Sequence, residues 1–214
     1  AARAAVDRGF DCLKLKVGAQ PLETDIERVS AVEAAVDATL RVDANGAWTE
    51  TEAFDAVEAF ASLGVAYVEQ PVPATELSLL SALRGNGVDV AVYESVGEMG
   101  VDAVLGAEAA DVAVVKPMVL GVPDAAVTAA RDLRQSGVEP VVTTTIDGAV
   151  ARAAAVHVAA AIPDLRACGL ATGELLREDL GEDPVPVVDG RVRVPAGPGT
   201  LGETFDSRLW RSEM

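Results

Sequence analysis

Residues 11–18 read DCLKLKVG. Cys12, Leu13, Leu15 and Val17 suit a buried strand, but Lys14 and Lys16 do not. Successive side chains of a strand alternate between its faces, so two lysines two apart share one face. Two ammonium groups aimed at one place imply an anionic group beside them. What stands opposite that face decides how the rest of the chain is read.

Downstream, short β-branched runs alternate with amphipathic segments. Strands are predicted at 11–17, 39–43, 65–69, 88–93, 111–116, 139–144 and 165–168. Between them Leu22, Ile26, Val29, Val32 and Val36 form an apolar stripe of helical period. Thr49 and Glu52 have capping-box spacing, with Phe54, Val57 and Phe60 behind them and Gly64 as the stop. Pro123 opens another helix and Gly137 closes it. A further, alanine-rich helix is predicted at about 148–161. Strand–helix units of this length require a parallel sheet with right-handed crossovers. No GxGxxG turn follows a strand, which disfavours a doubly wound nucleotide-binding sheet.

The expected fold class is therefore α/β, a (β/α)8 TIM-type barrel. AARAAVDRGF reads as the second half of a helix ending at Gly9, and it lacks an initiator methionine. The chain is thus expected to be a piece of a longer protein, an incomplete barrel over 1–180 that lacks its first strand. Residues 181–214 are expected to form a hairpin turning at Asp189-Gly190 and a tail that packs outside the barrel.

Half of the 214 residues are hydrophobic, and 34 acidic residues against 17 basic ones give a net charge of -17. Such a field repels phosphate backbones and anionic lipid, so nucleic-acid and membrane partners are not expected. No apolar run has transmembrane length, and a cytoplasmic location is expected. The scattered acids and few lysines suggest a salt-adapted protein, whose stability would rise with KCl. Cys12 and Cys168 match no metal spacing and read as buried thiols.

The strand ends carry the polar groups, where barrel enzymes keep their chemistry. Strand one ends in Lys14 and Lys16, strand two in Asp43 and Asn45, strand three in Glu69, strand four in Tyr93 and Glu94, and strand five in Lys116. Any one of these alone is read as a cap, loop or solvated residue. Five consecutive strands in the order lysine, acid, acid, acid, lysine point to one mouth. A hard cation such as Mg2+ relieves repulsion among the carboxylates and accepts their oxygens. Mutual repulsion and partial burial would lower a lysine's pKa and fit it to acid–base work.

The set LKLKVG, RVDANGAW, YVEQPV, ES and VVKP resembles the barrel of the enolase superfamily, in its muconate-lactonizing subgroup. The later segments VVTTTIDGAVARAAAVHVAAAIPDLRACGLATGELL and PVPVVDGRVRVPAGPG look most like its o-succinylbenzoate synthase branch, which serves menaquinone biosynthesis. The resemblance implies a small carboxylate substrate, a succinyl-hydroxycyclohexadiene carboxylate, that loses water and becomes aromatic. Lys16 would take the proton next to the carboxylate, and Lys14 would neutralise that carboxylate and hold the Lys16 pKa down. Asp43 and Glu69 would bind Mg2+, or Mn2+ in its place, stabilising the ene-diolate, with Asn45 in support. Lys116 would stabilise the developing charge. Thr143 and Thr144 would lie near the succinyl group, and Gly169 would offer a backbone N–H to its carboxylate.

Two departures stand out. Tyr93 replaces the aspartate of the family's D-E-S motif, so Glu94 is expected as the third metal ligand. The family's N-terminal capping domain is missing, so a further segment or a second chain is expected to complete the barrel and to meet the C-terminal tail; a homo-oligomer is compatible with this. The rival readings are an N-succinylamino acid racemase, another enzyme of the subgroup, and a non-catalytic remnant. Epimerases carry a D-x-D pair in strand eight, and CGLATGELL has none. His157 is expected to be structural, Trp48 to pack at the rim and Trp210 to anchor the tail; Asp147 is read as a helix cap, with support of the site as its alternative.

Overall fold

The computed structural model describes residues 1–202. Helix α1 (Ala2–Val6) ends before Gly9, whose φ of 87° needs no Cβ. The chain then alternates through β1 (Cys12–Lys16), α2 (Leu22–Glu33), β2 (Thr39–Asp43), α3 (Glu50–Ser62), β3 (Tyr67–Glu69), α4 (Leu77–Leu83) and β4 (Asp89–Val92). Two short helices follow, α5 (Glu94–Met99) and α6 (Val101–Gly106), and then β5 (Val112–Val115), α7 (Pro117–Leu120), α8 (Pro123–Gln135), β6 (Glu139–Val142) and α9 (Ala149–Ala160). The six strands lie in one sheet in chain order. Neighbours from β1 to β5 pair in parallel.

The chain divides into two compact units. One holds Ala1–Val114 with Leu133–Pro140; the other holds Val115–Asp132 and, among the described residues, 141–202. In the first unit, register sets the chemistry. Lys16 pairs with Asp43, Asp43 with Glu69, and Glu69 with Ala91. Out of phase with that row, Val42, Val68 and Val90 are fully buried, as are Val29, Val57 and Phe60 of the helices. Each such side chain contributes about 1.5–3 kcal/mol by leaving water.

The capping box of α3 forms as its spacing predicts. Thr49 Oγ1 accepts from Glu52 N, and Glu52 Oε2 accepts from Thr49 N at 2.9 Å. The buried face of α3 is Ala53, Ala56, Val57 and Phe60, a stripe at i, i+3, i+4 and i+7. Phe54 falls outside that stripe and is exposed. Trp48 is buried against Phe60, with ring centroids 6.1 Å apart. Gly18 sits where a side chain cannot: a Cβ would lie 2.6 Å from Ala47 Cβ at a φ of +85°.

In the second unit, α9 buries Ala149, Ala153 and Val156. The later chain holds it by charge. Asp179 Oδ2 accepts from Ala149 N at 2.8 Å. The buried Arg152 pairs with Asp183 at 2.9 Å and donates to the Val185 carbonyl. Asp147 is not the cap expected of it, because Asp179 takes that place. The Asp147 carboxylate turns back and accepts from the Thr145 amide and hydroxyl. His157 has a tail contact: its Nε2 lies 3.0 Å from the Thr200 carbonyl oxygen.

The strand expected at 165–168 does not form. It is reduced to a single bridge between Thr143 and Gly169. Of residues 165–168 only Leu165 and Cys168 are even half-buried, so little apolar area drives a longer pairing. The turn at Asp189-Gly190 is present, with φ of 49° and 66°, and closes one antiparallel bridge from Val188 to Arg191. Cys12 and Cys168 are free, and half-buried where full burial was expected. Trp210 lies outside the described residues. Among the described residues, no helix is long and apolar enough to cross a membrane.

Candidate active site

The first unit gathers six of the residues singled out by sequence. Lys14 Nζ donates to Asp43 Oδ2 and to Glu69 Oε2, each at 2.8 Å. Lys16 Nζ donates to the same Asp43 oxygen at 2.7 Å and to Asn45 Oδ1 at 2.6 Å. Asn45 Nδ2 then donates to Glu94 Oε1 at 2.8 Å. The Asn45 backbone N–H also reaches Asp43 Oδ1, which holds the turn after β2 at a φ of 48°.

Burial is uneven across the cluster. The side chains of Asp43 and Glu69 are each 1% exposed, that of Lys14 is 31% and that of Lys16 is 65%. The acids thus form the floor and Lys16 stands nearest to solvent. Beneath them Arg41 stacks its guanidinium 4.8 Å from the centre of the Tyr67 ring. Arg41 precedes Asp43 by two and Tyr67 precedes Glu69 by two, so they share the inward face.

Lys14, the neighbour expected to hold the Lys16 pKa down, has its own pKa raised. Burial pulls it down, but Glu69 and Asp43 outweigh burial and hold it above the ordinary lysine range. Opposite charge at hydrogen-bond distance beats the cost of burial. Asp43 shows the converse. Burial would raise it, but Lys14 and then Lys16 hold its carboxyl below the usual range.

Asp43, Glu69 and Glu94 do not stand packed against one another as a finished triad. Among the described residues, no group of three or more metal-ligating side chains is close enough for that. The Lys14 ammonium bridges Asp43 and Glu69, and Asn45 links Asp43 to Glu94. Three carboxylates face the two ammonium groups of Lys14 and Lys16, with the Arg41 guanidinium beneath. Glu94 Oε2 is buried and accepts no hydrogen bond. Tyr93 is half-buried at the start of α5, where its backbone N–H donates to Gln70 Oε1.

The second unit holds the remaining candidates. Lys116 is half-buried at the end of β5, and its carbonyl accepts the first turn of α7. Thr143 and Thr144 follow β6 and are both buried. Thr144 Oγ1 lies 2.8 Å from Thr172 Oγ1, and Thr143 Oγ1 is buried without a hydrogen-bond partner. Gly169 does not offer the N–H expected of it, which donates instead to the Val142 carbonyl at 3.0 Å. Gly169 is needed for close approach, because a Cβ there would lie 2.9 Å from Thr143 Cγ2.

Four supporting residues had no assigned role from sequence. Gln70 and Ser95 are fully buried between the ends of β3 and β4. Asp25 and Arg28 secure the turn after β1: Asp25 accepts from Gly18 N and from Arg28, whose other nitrogen donates to the Lys16 carbonyl. The D-x-x-R spacing on a helix and the glutamine directly after Glu69 were the available signals.

The family described as Enolase C-terminal domain-like matches residues 1–209. The o-succinylbenzoate synthase of Mycobacterium ulcerans (strain Agy99) is 41% identical over 94% of this chain, which spans 63% of that protein's length. The muconate lactonizing enzyme from Pseudomonas putida superposes with a TM-score of 0.90 at 24% identity, over 98% of this chain and 60% of that one. The L-Ala-D/L-Glu epimerase from Bacillus subtilis superposes with a TM-score of 0.86 at 29% identity, over 94% and 57% respectively.

Proposed function

This chain belongs to the enolase C-terminal domain-like family, and from that premise we propose that it carries the chemistry of an o-succinylbenzoate synthase. The reaction is the dehydration of 2-succinyl-6-hydroxy-2,4-cyclohexadiene-1-carboxylate to 2-succinylbenzoate. The observation that carries this reading is the convergence of Lys14, Lys16, Asp43, Asn45, Glu69 and Glu94 in one hydrogen-bonded cluster. The similarity to a synthase at 41% identity supports the choice of reaction.

A divalent cation, Mg2+ or Mn2+, fits the residues present. The donors are hard oxygens, and Glu94 Oε2 is buried and unsatisfied. Asp43 and Glu69 already hold one cationic head group, that of Lys14. Asp43, Glu69 and Glu94 would hold the ion, and Asn45 would orient Asp43 and Glu94. When bound, the ion supplies positive charge against negative charge developing on a substrate carboxylate.

The remaining work belongs to side chains. Lys16 takes the proton from the carbon next to the substrate carboxylate, and the electron pair moves into that carboxylate. Lys16, now an ammonium, returns the proton to the departing hydroxyl. The C–O bond breaks, water leaves and the ring becomes aromatic. Lys14 keeps a positive charge beside the site, because the acids on its floor hold its proton. Lys116, Thr143 and Thr144 are proposed to contact the substrate. A further segment completing the barrel and a capping domain meeting residues 181–214 belong to the same proposal.

The test uses the full-length protein with Mg2+ and the cyclohexadiene substrate, followed by the ultraviolet absorbance of the aromatic product. Product should form, and Lys16→Ala should abolish it. No product from a sample that binds Mg2+ would reject the synthase. The lysine at the end of β5 keeps an N-succinylamino acid racemase as the second reading. Racemisation needs Lys16 and Lys116 as two bases, whereas dehydration needs only Lys16. Lys116→Ala should therefore abolish racemisation and leave part of any dehydration.

A further inference from the structure

Gln70 sits between the two carboxylates that the sequence assigns to different strands. Glu69 precedes it directly, and Glu94 stands between Tyr93 and Ser95. The Gln70 side chain is fully buried. Its Oε1 accepts from Tyr93 N at 3.2 Å and from Ser95 N at 3.1 Å, the two backbone amides that flank Glu94. Its Nε2 donates to the Val72 carbonyl and to Ser95 Oγ, each at 2.9 Å. Ser95 Oγ in turn donates to the Ala74 carbonyl at 2.8 Å.

The Gln70 backbone is engaged as fully. Its N–H donates to the Ala91 carbonyl of β4, and its carbonyl accepts from Gly46 N, next to Asn45. The residue adopts a φ of 42°, a conformation that costs a residue with a Cβ on the order of 1 kcal/mol. A surrounding that over-determines the position keeps such a conformation occupied. Here one residue, through its side-chain amide and its backbone, ties the turn after β2, the end of β3 and the start of α5.

We infer that Gln70 is the positioning residue of the proposed cation site, setting where Glu94 stands relative to Glu69 and Asn45. This rests on the divalent-cation reading above. Gln70 acts through the two amides on either side of Glu94. A nearly isosteric Gln70→Met variant keeps the volume and leaves the Tyr93 and Ser95 amides without their acceptor. The turn then relaxes and the Glu94 carboxylate loses its place. Loss of a partner that orients a metal ligand costs about 10- to 100-fold in metal affinity.

The test is Mn2+ binding to the full-length protein, by electron paramagnetic resonance of free Mn2+ and by calorimetry. Wild type is compared with Gln70→Met, with Ser95→Ala and with Leu80→Ala. Leu80 is a fully buried core residue outside the cluster, and its variant measures what lost stability alone does. Gln70→Met should weaken Mn2+ by about tenfold or more, Ser95→Ala by less, and Leu80→Ala should leave affinity unchanged while lowering the melting temperature. Should Gln70→Met not fold, Ser95→Ala carries the test, because it removes the hydroxyl that holds Nε2. Equal affinity in wild type, Gln70→Met and Ser95→Ala overturns the role of Gln70 and leaves the cation site standing. No Mn2+ binding by wild type overturns both. Parallel losses in the Gln70 and Leu80 variants reduce Gln70 to a structural residue and also overturn its role.

Discussion

Replacing Lys14 by methionine removes one positive charge and keeps the stem. The charge it removes lies 2.8 Å from Asp43 and 2.8 Å from Glu69, both nearly sealed from water. Lys16 continues to pair with Asp43, so Glu69 bears most of the loss. Breaking a buried ion pair from one side costs about 3–5 kcal/mol. The Lys14 side chain is 31% exposed, so water screens part of this and the lower end, about 3 kcal/mol, applies. For a chain of this size that lowers the melting temperature by about 6–12 °C. Thermal unfolding followed by circular dichroism at pH 7, with chelator present, reads it directly. The second arm is Glu69→Gln in the Lys14→Met background. Neutralising the Glu69 carboxylate should restore part of the stability, with a coupling of about 1–3 kcal/mol in the double-mutant cycle. Two outcomes refute the reasoning: a Lys14→Met protein within roughly 0.5 kcal/mol of wild type, or a double variant whose losses simply add.

Three further outcomes follow from the same geometry. Asp43 is held below the usual carboxylate range by Lys14 and Lys16 against its burial, so its contribution is present above about pH 4 and is lost as pH falls through its folded value. The urea midpoint should drop in acid, and Asp43→Asn should flatten that drop; an unchanged profile would remove Asp43 from the account. Burial pushes the Tyr67 phenol up to about 12, with Arg41 opposing it. That stability is complete below about pH 10 and lost as pH rises toward the folded value, together with that of Lys14, whose pKa is also raised. Tyr67→Phe should shrink the alkaline fall in the urea midpoint. Gly18→Ala should cost about 1–3 kcal/mol from overpacking, because its Cβ meets Ala47 Cβ at 2.6 Å and φ is +85°; a melting temperature equal to wild type would show that the turn after β1 gives way easily.

Much of the fold was legible because the signals are local. Local patterns placed six strands and four of the helices between and after them, α2, α3, α8 and α9, and Thr49, Glu52 and Pro123 announced helix starts. Failures came where local patterns lose force. Phe54 fits an apolar spacing but falls off the face set by Ala53, Ala56, Val57 and Phe60. Residues 165–168 have a strand's position but too little buried area to form one. Asp147 has a cap's position but gives it up to Asp179, which arrives from 30 residues away.

The sequence by itself determined which polar residues end which strands: Lys14 and Lys16, then Asp43, Glu69 and Glu94 in turn. Spacing along one chain suffices for that, since one strand–helix unit separates each from the next. Only the tertiary structure decided whom they meet. Parallel register puts Lys16 level with Asp43 and Asp43 level with Glu69, and the ammonium of Lys14 reaches that row from one step below. That proximity turns the Lys14 pKa upward, where two lysines considered alone would push each other down. The same packing commits the Gly169 N–H to Val142 and makes Gln70 the link between Glu69 and Glu94. Coulomb forces and hydrogen bonds depend on distances of a few ångströms, and those distances come from strand pairing, not from order along the chain.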